Sequence, residues 1–212
     1  MSHQFVLVRH GMCEQTDSRL FGRLIDAPLS SQGELEAAAV ARRLSSFDRV
    51  HIESSPRLRT RQTAAAIAEV CGRKDVAIAA AIDELDFGEW SGHTFAELDT
   101  DARWRAWNSQ RSEHATPAGE TMQAVYARAI AHMHLLASSH GDCTNVLVTH
   151  ADVIRAIVLI GLGASVDAFW KLSISPASIT RLTLEDGIVK FESINEYPEE
   201  RAERSHAECI PA

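Results

Sequence analysis

Short apolar runs of strand type alternate with helical patterns along this chain, and each run ends in polar, chemically capable residues. The runs fall at 5–8, 49–53, 76–80 and 145–149. Strands that are apolar throughout and regularly followed by helices fit a mostly parallel sheet covered on both faces. The expected class is therefore α/β, in three α/β/α layers. Two further runs, 178–184 and 188–195, flank Asp186-Gly187 and read as a β-hairpin.

Helices are expected at 31–47, where Ser31 and Glu34 have capping-box spacing, at 56–71, and at 151–162. Pro56 suits a first helical turn and Gly72 a C-terminal stop. Between 121 and 140, Met122, Val125, Tyr126, Ala129, Ile130, Met133 and Leu136 recur at the spacing of an amphipathic helix. The stretch 84–117 is irregular, with a helix expected over 95–107, and holds three of the four tryptophans. It reads as a lid or small insertion, around 85–118, on one domain spanning 1–196; a polar tail follows over 197–212.

With 212 residues the chain is long enough to bury a core without disulfides or a structural metal. Its four cysteines, Cys13, Cys71, Cys143 and Cys209, form no Cys-x-x-Cys pair, which argues against a disulfide framework and fits a reducing cytoplasm. The formal net charge of −8 opposes nucleic-acid binding over the surface as a whole, so an anion site has to be a local basic pocket. The apolar stretch 156–164 is about half a bilayer span, and no secretory signal opens the sequence. Neither a membrane nor a nucleic-acid partner is expected.

In an open parallel sheet, ligands bind beyond the carboxyl ends of the strands. Here those ends read Arg9-His10-Gly11, Ser54-Ser55-Pro56-Arg57-Leu58-Arg59, Asp83-Glu84 and Thr149-His150. Two histidines, several arginines and a carboxylate meeting at one edge suit an anion with a reactive phosphorus. A neutral imidazole attacks phosphorus at neutral pH. Guanidinium groups hold the phosphoryl oxygens, and a carboxylic acid protonates the leaving alcohol. On a helix Arg57 and Arg61 share a face while Arg59 points about 200° away, so only one face serves a pocket.

Four blocks in order resemble the histidine phosphatase superfamily, also called the phosphoglycerate mutase-like family. They are Leu7-Val8-Arg9-His10-Gly11, the segment from Ser54 to Ala64, the segment from Glu84 to Gly92, and Leu147 to Arg155. The resemblance implies a phosphohistidine at His10, a phosphate pocket of Arg9, Arg59 and His150, and Glu84 as proton donor, with neither metal nor organic cofactor. It also implies Thr16, Gly22, Arg23 and Ala151 as substrate contacts and a small phosphorylated substrate. Met12-Cys13 and Thr16, and Ala151-Asp152 after the second histidine, depart from the usual pattern. Some 32 residues separate Glu84 from Pro117-Ala118-Gly119-Glu120-Thr121, a short insertion that favours a phosphomonoesterase over a cofactor-dependent mutase. A catalytically silent phospho-ligand binder is the alternative from another class. Phe21-Gly22-Arg23 and the segment from Asp86 to Trp90 are reminiscent of the α-ribazole phosphatase branch. His132 and His134, two residues apart, read as helix-face histidines rather than metal ligands, and Cys13 as a passive small residue.

Overall fold

In the computed structural model, which describes residues 2–14, 18–139 and 143–198, six strands form one sheet among the described residues. Strands β1 (Ser2–Arg9), β2 (Val50–Ser54), β3 (Ala77–Ile78) and β4 (Thr144–Thr149) run parallel in the order β3-β2-β4-β1. The hairpin β5 (Ile179–Glu185) and β6 (Ile188–Glu196) extends that sheet antiparallel from β1. Successive strand residues point to opposite faces, and the central strands use both. Phe5, Leu7 and Leu147 enter one apolar cluster, whereas Val6, Val8, Val146 and Val148 enter the other.

Helices α1 (Ser31–Leu44) and α2 (Leu58–Val70) cover the second of these clusters. Helices α5 (Met122–Ser139) and α6 (Ala151–Gly161) cover the first. The three-layer α/β/α arrangement expected from the sequence is therefore the arrangement formed. Helices α3 (Phe95–Leu98) and α4 (Ala102–Ser109) add Leu98, Trp104 and Trp107 to the first cluster, where the rings of Trp90, Trp104 and Trp107 have centroids 5.2 to 5.7 Å apart.

Element boundaries differ from the sequence reading for local reasons. Ser30, not Ser31, caps α1, its side chain accepting from the Gly33 N–H. That helix stops at Leu44, where Ser45 turns its N–H back to the Arg42 carbonyl. Helix α2 starts at Leu58 because the chain stays extended through Ser55, whose N–H bonds the Val148 carbonyl. Strand β3 shortens to two residues as a 3-10 turn, Ala80–Ile82, folds Ile82 into the core. The single helix expected over 95–107 splits in two because the segment carries two separate caps. Thr94 and Glu97 form a capping box, and the Asp101 side chain accepts from the Arg103 N–H. The tail beyond 198 lies outside the described residues.

The start of α1 presses on the loop that follows β1. A Cβ at Gly33 would lie 2.0 Å from the Met12 carbonyl oxygen, and one at Gly11 2.5 Å from that of Gly33. Alanine is the better helix former by roughly 1 kcal/mol, but this overlap is with backbone and cannot swing aside. Gly33→Ala is expected to destabilise the fold by about 1–3 kcal/mol, read as a lower urea midpoint at unchanged slope. A neutral or stabilised variant would contradict the close approach.

Candidate active site

The register of the two central strands places the histidines. Arg9 of β1 stands opposite Thr149 of β4, and the His10 N–H bonds the Thr149 carbonyl at 3.0 Å. The next residue on each strand is a histidine, so the two imidazoles meet beyond the sheet edge with centroids 5.3 Å apart. Helix α6 begins at Ala151 directly after His150, which turns its first backbone N–H groups toward the same edge, a favourable place for an anion. From the neighbouring helix, Arg59 reaches in and is almost wholly buried.

The hydrogen bonds fix the tautomers. Nδ1 of His10 lies 2.7 Å from the Gly11 carbonyl, which only accepts, so Nδ1 carries the proton and Nε2 keeps its lone pair. For His150 the order is set through a chain. Ser55 donates its hydroxyl to Asp83 at 2.9 Å and therefore accepts from Nε2 of His150 at 2.7 Å. Nδ1 of His150 then accepts from Arg59 at 3.2 Å. Asp83 is held in turn by Arg57 and by the Glu84 N–H. Arg59 is anchored by the carbonyls of Gly22 and Ile25.

Burial sets the protonation states. It lowers His10 well below the ordinary histidine value, helped by the charges of Arg59 and Arg9. His150 moves the same way, from burial and then Arg59. Both rings are neutral at neutral pH. Burial pushes Glu84 up to about 7, and Asp152 adds to the effect against the opposing pull of Arg59. The sequence neighbours Asp83 and Asp86, which invite a like-charge explanation, are not the cause. One Glu84 oxygen lies 3.4 Å from His150 Nδ1 and 4.0 Å from Arg59.

Arg9, His10, Gly22, Arg59, Glu84 and Ala151 all line one cavity of about 380 Å³. His150 borders it through its contacts with His10, Arg59 and Glu84. Arg23 does not line it. Its guanidinium instead bonds the Glu84 carbonyl at 2.7 Å and the Glu120 carboxylate at 2.8 Å, bracing the segment that carries Glu84. Thr16 lies outside the described residues. Of the three arginines near the start of α2, Arg59 alone faces the cavity. Arg57 turns to Asp83 and Arg61 to Asp26 at the surface.

Cys13 packs 4.0 Å from His10 Nδ1, and burial pushes its thiol up to about 11, so it stays protonated. His132 is not a bare surface histidine. With His51 it bonds the buried Glu53 carboxylate, at 2.5 and 2.9 Å. Burial raises Glu53, but these two hydrogen bonds outweigh it and hold the acid below the usual value. Among the described residues no group of three or more His, Cys, Asp or Glu side chains is arranged to hold a metal ion. No described helix is long and apolar enough to cross a membrane.

Ser55 belongs to the block from Ser54 to Ala64, but Asp83, which with it fixes His150, and Arg111, Trp107 and Phe169, which also line the cavity or its edge, have no motif that singles them out in the sequence. Only position hints at Asp83, which sits beside Glu84.

Comparison with known proteins agrees with this geometry. The chain is 30% identical over 185 residues to "Phosphoserine phosphatase 1" of Hydrogenobacter thermophilus, covering 86% of this chain and 87% of that one. It is equally 30% identical over 185 residues to "Probable phosphoglycerate mutase GpmB" of an Enterobacter species, covering 86% of each. The solved mycobacterial glucosyl-3-phosphoglycerate phosphatase superposes with a TM-score of 0.81 at 27% identity, over 92% of this chain and 99% of that one. A family model matches residues 5–197, and on that match the chain belongs to the histidine phosphatase superfamily, branch 1.

Proposed function

We propose that the protein is a phosphomonoesterase that acts on a small phosphorylated metabolite through a phosphohistidine. The observation that carries this reading is the pairing of a neutral His10, its Nε2 lone pair free, with a carboxyl group raised to about 7 in the same cavity. Arg9 and Arg59 bind the phosphoryl oxygens, where their fixed charges stabilise the transition state, and His150, whose one N–H goes to Ser55, holds the Arg59 guanidinium through Nδ1. Nε2 of His10 attacks phosphorus, the ester P–O bond breaks, and its electron pair leaves on the alcohol oxygen, which takes the Glu84 proton. The Glu84 carboxylate next accepts a proton from water as that water attacks the phosphohistidine. The N–P bond breaks, its electron pair returns to Nε2, and phosphate departs.

Names of relatives support a phosphatase and also include a mutase. The short stretch between Glu84 and Pro117 favours water over a retained bisphosphate as the second acceptor. Neither the residues of the cavity nor the proposed steps require a metal.

The first test is p-nitrophenyl phosphate hydrolysis by wild type and His10→Ala side by side in EDTA. Turnover is expected for wild type alone. Turnover by the variant would overturn the nucleophile assignment, and abolition of wild-type turnover by the chelator would indicate a metal-dependent reaction. Absence of turnover in wild type, with phosphoryl exchange between phosphoglycerates, would instead favour the mutase.

The acid assignment fixes the sign of the pH dependence. The first step uses protonated Glu84, so kcat/KM for an alkyl phosphate should be high below about pH 7 and fall as pH rises through it. Glu84→Gln is expected to lower kcat/KM of alkyl esters by about 10²- to 10⁴-fold and to spare kcat/KM of aryl esters, whose leaving groups need little protonation in the first step. Equal losses on both would place the acid elsewhere.

A further inference from the structure

The cavity lined by Arg9, His10 and Arg59 is also lined by a buried cation that the mechanism above does not use. Arg111, just after α4, is 3% exposed. Its guanidinium carbon lies 3.7 Å from the Trp107 ring centroid and 3.3 Å from that of Phe169, so an aromatic ring packs near each of these approaches. One terminal nitrogen donates to the Asn108 side-chain oxygen at 2.7 Å. The Nε and Nη1 donors are buried and bond nothing in the described residues. No carboxylate there lies within 4.0 Å of the group. Burial lowers Arg111 to about 10, so it remains a cation at neutral pH.

The charges that bear on Arg111 are Asp152 and Arg155. They are committed to each other at 3.3 Å, and Arg155 also donates to the Leu172 carbonyl. Arg111 is thus a desolvated charge with spare donors and no acid of its own, a costly arrangement unless a partner arrives. Aromatic contact compensates only part of that cost. The group is also held in advance. The Asp167 carboxylate accepts from the Ser112 N–H and hydroxyl at 2.9 and 2.7 Å, tying the chain beside Arg111 to the turn that carries Phe169.

We propose that Arg111 receives a second anionic group, a carboxylate or a phosphate, on the alcohol part of the substrate, while Arg9 and Arg59 hold the phosphoryl group that is transferred. The inference rests on the phosphomonoesterase reading and narrows it to phosphate esters with two anionic ends. An ester whose alcohol is neutral leaves the Arg111 donors unpaired and loses that contribution to binding.

The test compares kcat/KM of wild type and Arg111→Met on 3-phosphoglycerate, glycerol 1,3-bisphosphate and glycerol 3-phosphate, with p-nitrophenyl phosphate as a reference ester. The first two esters carry a second anion, and which of them wild type prefers separates a carboxylate from a phosphate as the occupant. Wild type is expected to favour at least one of them over glycerol 3-phosphate by about 10- to 100-fold, the range of a charged hydrogen bond. In Arg111→Met that ratio should collapse toward one, mainly through KM. The ratio is taken within one preparation, so partial misfolding of the variant cancels. A wild type without the preference, or a variant that keeps it, would overturn the inference and leave Arg111 as a packing element. If wild type hydrolyses no ester, p-nitrophenyl phosphate included, the phosphatase reading itself fails and the inference falls with it.

Discussion

Exclusion of water from the carboxyl edge of the sheet is the constraint on which the site depends. Burial alone disfavours every charged form, and it acts in opposite directions on bases and acids. It lowers His10 and His150 and raises Glu84. A solvated edge with the same residues would hold partly protonated imidazoles and an ionised carboxylate at neutral pH, which removes the proposed nucleophile and the proposed acid together. The nearby guanidinium charges reinforce the effect on the histidines and oppose it on Glu84, so desolvation has to win at Glu84 for the pair to work.

The fold supplies that dry edge through strand register. Because β1 and β4 are parallel neighbours whose last residues pair, a histidine placed next on each arrives at the same level without any loop to position it. The neighbouring β2 ends one pair earlier, with Ser54 opposite Val148, and delivers Ser55, whose hydroxyl passes the orientation of Asp83 on to His150. Arg59 comes from the first turn of α2, close to where that strand ends. The precision of the site therefore derives from backbone hydrogen bonds of a sheet that is apolar on both faces. The part of the cavity around α4 and the turn with Phe169 is held by aromatic packing and by Asp167.

Much of this was readable in the residues. Apolar runs 5–8 and 145–149 are strands, the stripe from Met122 to Leu136 is a helix, and Asp186-Gly187 turns a hairpin. The residues at the strand ends, His10, Glu84 and His150, do meet, because topology alone brings such ends together. What escaped the sequence depends on contacts between distant segments. Helix α1 starts at Ser31 as read, but its cap is Ser30, whose side chain captures the Gly33 N–H. The acid that raises Glu84 beside burial is Asp152, 68 positions away, not its chain neighbours. Arg23 carries a family-like motif, yet its side chain braces the back of Glu84 rather than lining the cavity. Arg111 belongs to no recognisable pattern, since only the folded arrangement of Trp107 and Phe169 makes it a buried cation.

The central claim is that a neutral His10 Nε2 becomes bonded to phosphorus during turnover. The most direct measurement is to mix the wild-type protein with a phosphate-labelled ester, quench in alkali, where phosphohistidine survives, and locate the label by peptide mass spectrometry. The label is expected on the peptide containing His10 and is expected to be lost on brief acid treatment. Turnover with no label on the protein at any quench time, or label on a different residue, would contradict it.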